Sequence, residues 1–147
     1  MTFQSNISPT AHDAAPPRVQ VAALCHRKGP NGREILLVTS SRGRWILPKG
    51  WPIDGMTDAE AAMQEAWEEA GVLEGSVSSK PIAKFDGTKR FNDGKEIPAR
   101  IRVFAIKVRE MSRKFPEARR RSRRWVTVAK AAKLLGDKGY RKALKAI

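Results

Sequence analysis

The order of segments in this chain predicts an α/β fold, a mixed β-sheet with helices on both faces. Three observations carry that reading. Alternating apolar and polar residues mark strands at 18–27, 34–39 and 100–108. A sharply delimited helix is written between Thr57 and Gly71. Two more helical stretches, 129–135 and 138–146, follow the last strand-like segment. At 147 residues, 41% hydrophobic and 30% charged, the chain has the size and composition of one globular domain with one core.

In order, residues 1–17, ending in Ala-Ala-Pro-Pro, read as a flexible tail, and 18–147 as the single domain. The tail has no Lys or Arg and no apolar core, so it resembles neither a signal nor a transit peptide. No apolar run approaches the ~20 residues of a membrane span. A cytoplasmic location and no membrane partner are therefore expected. The lone cysteine, Cys25, agrees with a reducing compartment and sits in a strand pattern as inert core. Arg18–Arg27 should pair with Glu34–Thr39 through the turn Gly29-Pro30-Asn31-Gly32. Ser40-Ser41-Arg42-Gly43 is a polar turn, and Arg44–Pro48 a short strand. Residues 76–91 read as strand material broken by a turn at Asp86-Gly87, with a stronger turn at Asn92-Asp93-Gly94-Lys95. Trp125–Val128 is the last strand.

The helix explains itself locally. Thr57 and Glu60 form a capping box, so the first turn starts at Asp58, and Gly71 supplies the left-handed residue that ends it. At about 100° per residue, Met56, Ala59, Met63, Ala66, Trp67 and Ala70 share the side expected to be buried. Glu65, Glu68 and Glu69 cluster on the other side, where like charges cost roughly 0.2–0.5 kcal/mol per pair. Glu68 and Glu69 also face the negative end of the helix dipole. A solvated acidic face is the ordinary outcome of such spacing. A hard divalent cation would instead turn both penalties into binding energy, and carboxylate oxygens are the ligands Mg²⁺ prefers.

The whole ordered string resembles the Nudix box, in which a glycine and a spaced glutamate precede Arg-Glu-apolar-x-Glu-Glu-x-Gly-apolar. Gly50, Glu65, Ala66, Glu68, Glu69, Gly71 and Val72 match it, whereas Met56 and Gln64 stand where the box has glutamate and arginine. Leu37–Pro48 resembles the lead-in of diphosphoinositol polyphosphate phosphohydrolases, and Arg119–Trp125 their basic C-terminal strand. Pro48-Lys49-Gly50 is more similar to dinucleoside polyphosphate hydrolases. The likeness covers roughly residues 18–135. It implies a Nudix-type α/β/α sandwich and metal-dependent cleavage of phosphoanhydride bonds by water. Mg²⁺, with Mn²⁺ as a substitute, would be held by Glu65, Glu68, Glu69 and the Gly50 backbone. Glu65 and Glu69 are the catalytic candidates, and which of them is the general base stays open. Losing the box arginine and glutamate together leaves no unpaired charge, so the support shell is expected to be rewired around intact ligands.

Charge narrows the partner. The net charge is +14, and residues 75–147 hold 22 of the basic side chains against 6 acidic ones. Such a field attracts polyanions. Ser40, Ser41 and Arg42 match the phosphate-binding turn of the inositol enzymes, and also suit a plain solvated turn. Arg18, Lys49, Arg100 and Arg102 are the further substrate-binding candidates. Trp51 suits either base stacking or half-buried packing. The leading expectation is a diphosphoinositol or diadenosine polyphosphate substrate. The alternative is a nucleic-acid-binding Nudix domain, suggested by Arg119-Arg120-Arg121-Ser122-Arg123-Arg124 but lacking interleaved aromatics. Oligomeric state is not readable.

Overall fold

The computed structural model describes residues 18–91 and 93–147. The expected N-terminal tail, and Asn92 within the expected turn at 92–95, lie outside the described residues. Eight strands form one sheet, with β1 Arg18–Gly29, β2 Gly32–Thr39, β3 Trp45–Ile46, β4 Lys49–Gly50, β5 Val72–Val77, β6 Ala83–Arg90, β7 Glu96–Met111 and β8 Arg123–Thr127. The helices are α1 Asp58–Ala70, α2 Val128–Leu135 and α3 Lys138–Lys145. The main path runs β3-β2-β1-β7-β5, with β4 beside β1, β6 beside β7, and β8 beside β2.

β1 and β7 pair in parallel over Arg18–His26 and Ala99–Lys107, while the other pairings are antiparallel, so the sheet is mixed as expected. Strand alternation divides the apolar residues between two layers. Val21, Ala23, Cys25, Leu36, Val38, Phe104 and Ile106 face α1. Ala22, Leu24, Ile35, Leu37, Ile101 and Val103 face α2 and α3 through Ala131, Leu135, Tyr140 and Leu144. This is the α/β/α sandwich. Cys25 is fully buried, and burial pushes its thiol up to about 12, as befits inert core.

Three local expectations change. Asp86-Gly87 is not a turn: both residues sit inside β6, opposite Arg100 and Ala99 of β7. The expected strand at 44–48 is two short pieces, because the chain leaves β2 after Trp45–Ile46 and joins β1 at Lys49–Gly50. The described β1–β2 register covers only 26–29 against 32–35. Farther along, β4 takes its place beside β1, at Val21 and Ala22.

The third change concerns α1. Its capping box and left-handed Gly71 are as expected. Its buried residues, however, are Ala61, Ala62, Ala66, Glu69 and Ala70, whereas Met56 is exposed and Met63 and Trp67 are only half-buried. Alanines let the helix axis approach the sheet closely, so the long side chains are displaced to its flank. Glu69 is carried inside with them.

Candidate active site

The site begins with the two glycines that bound the loop–helix unit. A methyl group on Gly50 would lie 2.6 Å from Glu65 Oε1, so a larger residue there would push that carboxylate away from the β4 backbone. Gly71 has φ +75°, and its N–H donates to the carbonyls of Ala66 and Trp67, closing the helix just after Glu69. The helix is also pinned from outside at both ends. Arg102 donates to Asp58 at the first turn, 2.7 Å, and Arg123 donates to the carbonyls of Ala70, 2.7 Å, and Ser112, 2.8 Å. A guanidinium at the carbonyl end answers the dipole penalty on Glu68 and Glu69.

Glu65 and Glu69 form a hydrogen-bonded pair. Glu69 is 4% exposed; burial above all, then the bond to Glu65, pushes its carboxyl up to about 9, against the pull of Arg121. Glu65 is also raised, chiefly by burial, with Glu68 and Glu117 adding like charge. Both carboxyls are raised, so the pair as a whole holds a proton more readily than isolated glutamates do. The backbone N–H of Lys49 donates to Glu69 at 3.4 Å. Arg121 forms an ion pair with Glu69 at 3.6 Å, donates to Glu117 at 2.8 Å, and donates to the Thr39 carbonyl at 2.7 Å. Glu68 points elsewhere and accepts from Gln64 at 2.7 Å. So Gln64 holds Glu68, while Arg121, far along the chain, reaches the pair.

Among the described residues, no three His, Cys, Asp or Glu side chains are gathered as a ready-made metal cage. The donors that are gathered nevertheless suit a hard divalent cation. The carboxylate pair holds a proton that a cation would replace, against a glycine backbone where a side chain would collide.

Beside the pair lies a cleft of about 540 Å³. Its lining includes Ser40, Ser41, Arg42 and Arg44 from the β2–β3 turn, Lys49 from β4, and Thr88, Lys89 and Arg90 from β6. Arg120 and Arg121, and Asp137 and Tyr140 of the α2–α3 corner, complete the lining, with Asp137 close enough to Lys49 to favour its charge. Burial lowers the Lys49 ammonium below its ordinary value, with Lys89 adding to that effect and Glu69 opposing it. Ser40 Oγ accepts from the backbone N–H groups of Arg42, 3.3 Å, and Arg44, 3.1 Å, which shapes the turn.

The expected substrate contacts divide. Ser40, Ser41, Arg42 and Lys49 line the cleft, and Glu69 forms part of its wall. Arg18, Arg100 and Arg102 do not line it. Arg18 stacks on Trp51, 4.2 Å from the ring centroid, Arg100 pairs with Asp86, and Arg102 holds Asp58. Trp51, capped by that guanidinium, is likewise not a cleft residue. Arg44, Lys89, Arg90, Arg121, Asp137 and Tyr140 were missed. Strand alternation marks none of them, because they meet only where the strand ends, the 112–122 loop and the helix corner converge. The basic run is not one solvated stripe either. Arg121 and Arg123 turn inward, the latter over Phe115.

The NUDIX domain family model matches residues 16–147. The chain belongs to the Nudix family. It is 34% identical over 119 residues to the Nudix hydrolase 12, mitochondrial, of Arabidopsis thaliana, covering 78% of this chain and 58% of the relative. Nudix hydrolase 4 of the same plant is 35% identical over 119 residues, covering 77% and 53%. This Nudix chain thus spans a little over half the length of these relatives. Among solved structures, the Ap4A hydrolase of C. elegans superposes with a TM-score of 0.62 at 17% identity, covering 89% of this chain and 96% of that one. The Nudix domain of Shewanella oneidensis NrtR, complexed with ADP ribose, gives 0.60 at 15% identity, covering 96% and 91%. These likenesses establish the fold. Family members generally use divalent metal ions. No helix among the described residues is long and apolar enough to cross a membrane.

Proposed function

We propose that this Nudix chain is a divalent-metal-dependent hydrolase that cuts a phosphoanhydride bond in a highly phosphorylated small molecule. Diphosphoinositol polyphosphates and diadenosine polyphosphates are the two substrate candidates. One observation carries the reading: a carboxylate pair, half-buried Glu65 and buried Glu69, adjoins a cleft lined by seven basic side chains and, besides Glu69 itself, only one acidic one. A surface built only for solubility would not bury Glu69 against a second carboxylate beside that many cations.

Glu65 and Glu69 would hold Mg²⁺ or Mn²⁺, with the Gly50 backbone beside them and Glu68 completing the set on leaving Gln64. Such a cation, when bound, neutralises phosphate charge and acidifies water. The remaining work belongs to the chain. Arg42, Arg44, Lys49, Lys89 and Arg90 hold phosphate oxygens by charge-assisted bonds and align the anhydride for in-line attack. Arg121 fixes the Glu69 carboxylate, and a glutamate freed of the pair's proton accepts one from the attacking water. Arg18, Arg100 and Arg102, engaged outside the cleft, take no part in phosphate binding. The compartment expected is the cytoplasm, and the partner is the substrate rather than nucleic acid.

The test is Mg²⁺-dependent turnover of a diphosphoinositol polyphosphate and of diadenosine tetraphosphate side by side, with Glu69→Gln as control. Turnover of either one, lost by at least ~10²-fold in the control, is expected. A folded protein that cleaves neither, with or without Mn²⁺, would sink the proposal.

A further inference from the structure

Arg121 lines the cleft, yet its guanidinium is already engaged. Each of its three nitrogens meets a different segment of the fold. Nε donates to Glu117 Oε1 at 2.8 Å, Nη1 donates to the Thr39 carbonyl at 2.7 Å, and Nη2 pairs with Glu69 Oε1 at 3.6 Å. The side chain is 18% exposed. So small an exposure, with every nitrogen occupied, suits a tie between segments better than a ligand for phosphate.

The segments so joined are themselves fixed. Thr39 ends β2, and the next residue opens the Ser40–Arg44 turn of the cleft. The Thr39 hydroxyl accepts from the Ser122 N–H at 2.9 Å, and the Thr39 N–H donates to the Ser122 carbonyl at 3.0 Å, which fastens the chain beside Arg121. On the other side, the Glu117 N–H donates to the Glu68 carbonyl at 2.9 Å, so the 112–122 loop is bonded to the last turn of α1. The Lys49 N–H and Arg121 converge on one atom, Glu69 Oε1. Two donors on one oxygen restrict how the carboxylate can turn, which is what a metal ligand requires of its surroundings. Gln64, in the position of the box arginine, is engaged with Glu68 instead.

We propose that Arg121 is the positioning residue of the carboxylate pair: from outside the box, it clamps Glu69 to the end of β2 and sets the metal-binding carboxylate in register with the phosphate-binding turn. The metal role of the pair rests on the hydrolase reading, and the clamp adds how the work of the missing box arginine is done. Geometry, not charge, is what Arg121 supplies. A positive charge beside a cation site repels the cation, whereas a planar fork reaches three acceptors at once. Lysine carries the same charge on a single nitrogen and cannot make that reach. One substitution therefore separates the two contributions.

Calorimetric titration of the metal-free protein at fixed pH, with Mn²⁺ alone and with inorganic tripolyphosphate alone, tests this without turnover. Arg121→Lys should weaken Mn²⁺ by about tenfold and leave tripolyphosphate within about twofold of the parent. Thr39→Val removes the Ser122 acceptor with no change of charge, at a residue that does not line the cleft. It should weaken Mn²⁺ in the same direction by a smaller factor. Unchanged Mn²⁺ affinity in Arg121→Lys overturns the clamp, and with a lowered thermal midpoint it would make Arg121 a support of the fold alone. Should that variant not fold, unchanged Mn²⁺ affinity in Thr39→Val overturns it. Loss confined to tripolyphosphate would make Arg121 a phosphate ligand, and equal loss for both probes would mean general loosening of the cleft; either result overturns the clamp. A protein that shows the Mn²⁺-selective loss but cleaves neither substrate candidate would retain the clamp and refute the hydrolase.

Discussion

Glu69 shows how one residue couples fold and chemistry. The other buried residues of α1 are alanines, so the helix lies close to the sheet and takes the carboxyl inside with it. Folding raises that carboxyl from its ordinary 4.5 to about 9, mainly through burial. Between those values the folded protein binds a proton that the unfolded chain does not. Stability of the metal-free protein should therefore fall as pH rises from about 4.5 to about 9, then level off. Thermal unfolding in a chelator should show this slope, and Glu69→Gln should flatten it and raise the midpoint by several degrees at pH 8. A slope unchanged in that variant would place the proton elsewhere. The sequence revealed the glutamates and their shared face. It did not reveal that one of them is buried, because a helical pattern does not say which flank the sheet will cover.

At the scale of elements, α1 is fastened by side chains distant in sequence. Arg123 carries its charge to the last carbonyls of the helix and lies over Phe115. Removing a charged donor from two carbonyls should cost about 2 kcal/mol. Arg123→Ala should accordingly lower the urea midpoint at constant slope, while Arg119→Ala and Arg124→Ala, both exposed, stay within about 0.5 kcal/mol of the parent. Equal effects across the run would mean that it acts only through net charge. Capping signals were fully legible, since Thr57, Glu60 and Gly71 act within one turn of their own position. Asp86-Gly87 was misread for the opposite reason. Its extended conformation comes from ladder bonds with Arg100 and Ala99, which override the local turn preference.

For the whole molecule, the excess positive charge is concentrated where it can act. The cleft collects basic side chains from the β2–β3 turn, β4, β6 and the 112–122 loop. Electrostatic capture of this kind weakens with salt, so KM should rise steeply between low and physiological ionic strength while kcat changes little. Arg42→Ala should raise KM more than it lowers kcat. Arg102→Ala should leave KM alone and cost roughly 1 kcal/mol of stability or less, as expected for a half-exposed ion pair. The reverse pattern for these two variants would mean that substrate lies along α1's first turn instead of in the cleft.

By itself, the sequence determined what depends on near neighbours and on alternation. That comprises the α/β order, the capped helix, and the Nudix box with its glutamates and Gly50. Only the tertiary structure decided which cations reach the cleft, and that Arg121 supports Glu69 where the box arginine is missing. The physical reason is range. Caps and strand periodicity are set over a few residues. The cleft is made where β2, β4, β6 and the α2–α3 corner come together, and no local rule aligns residues from segments so far apart in the chain.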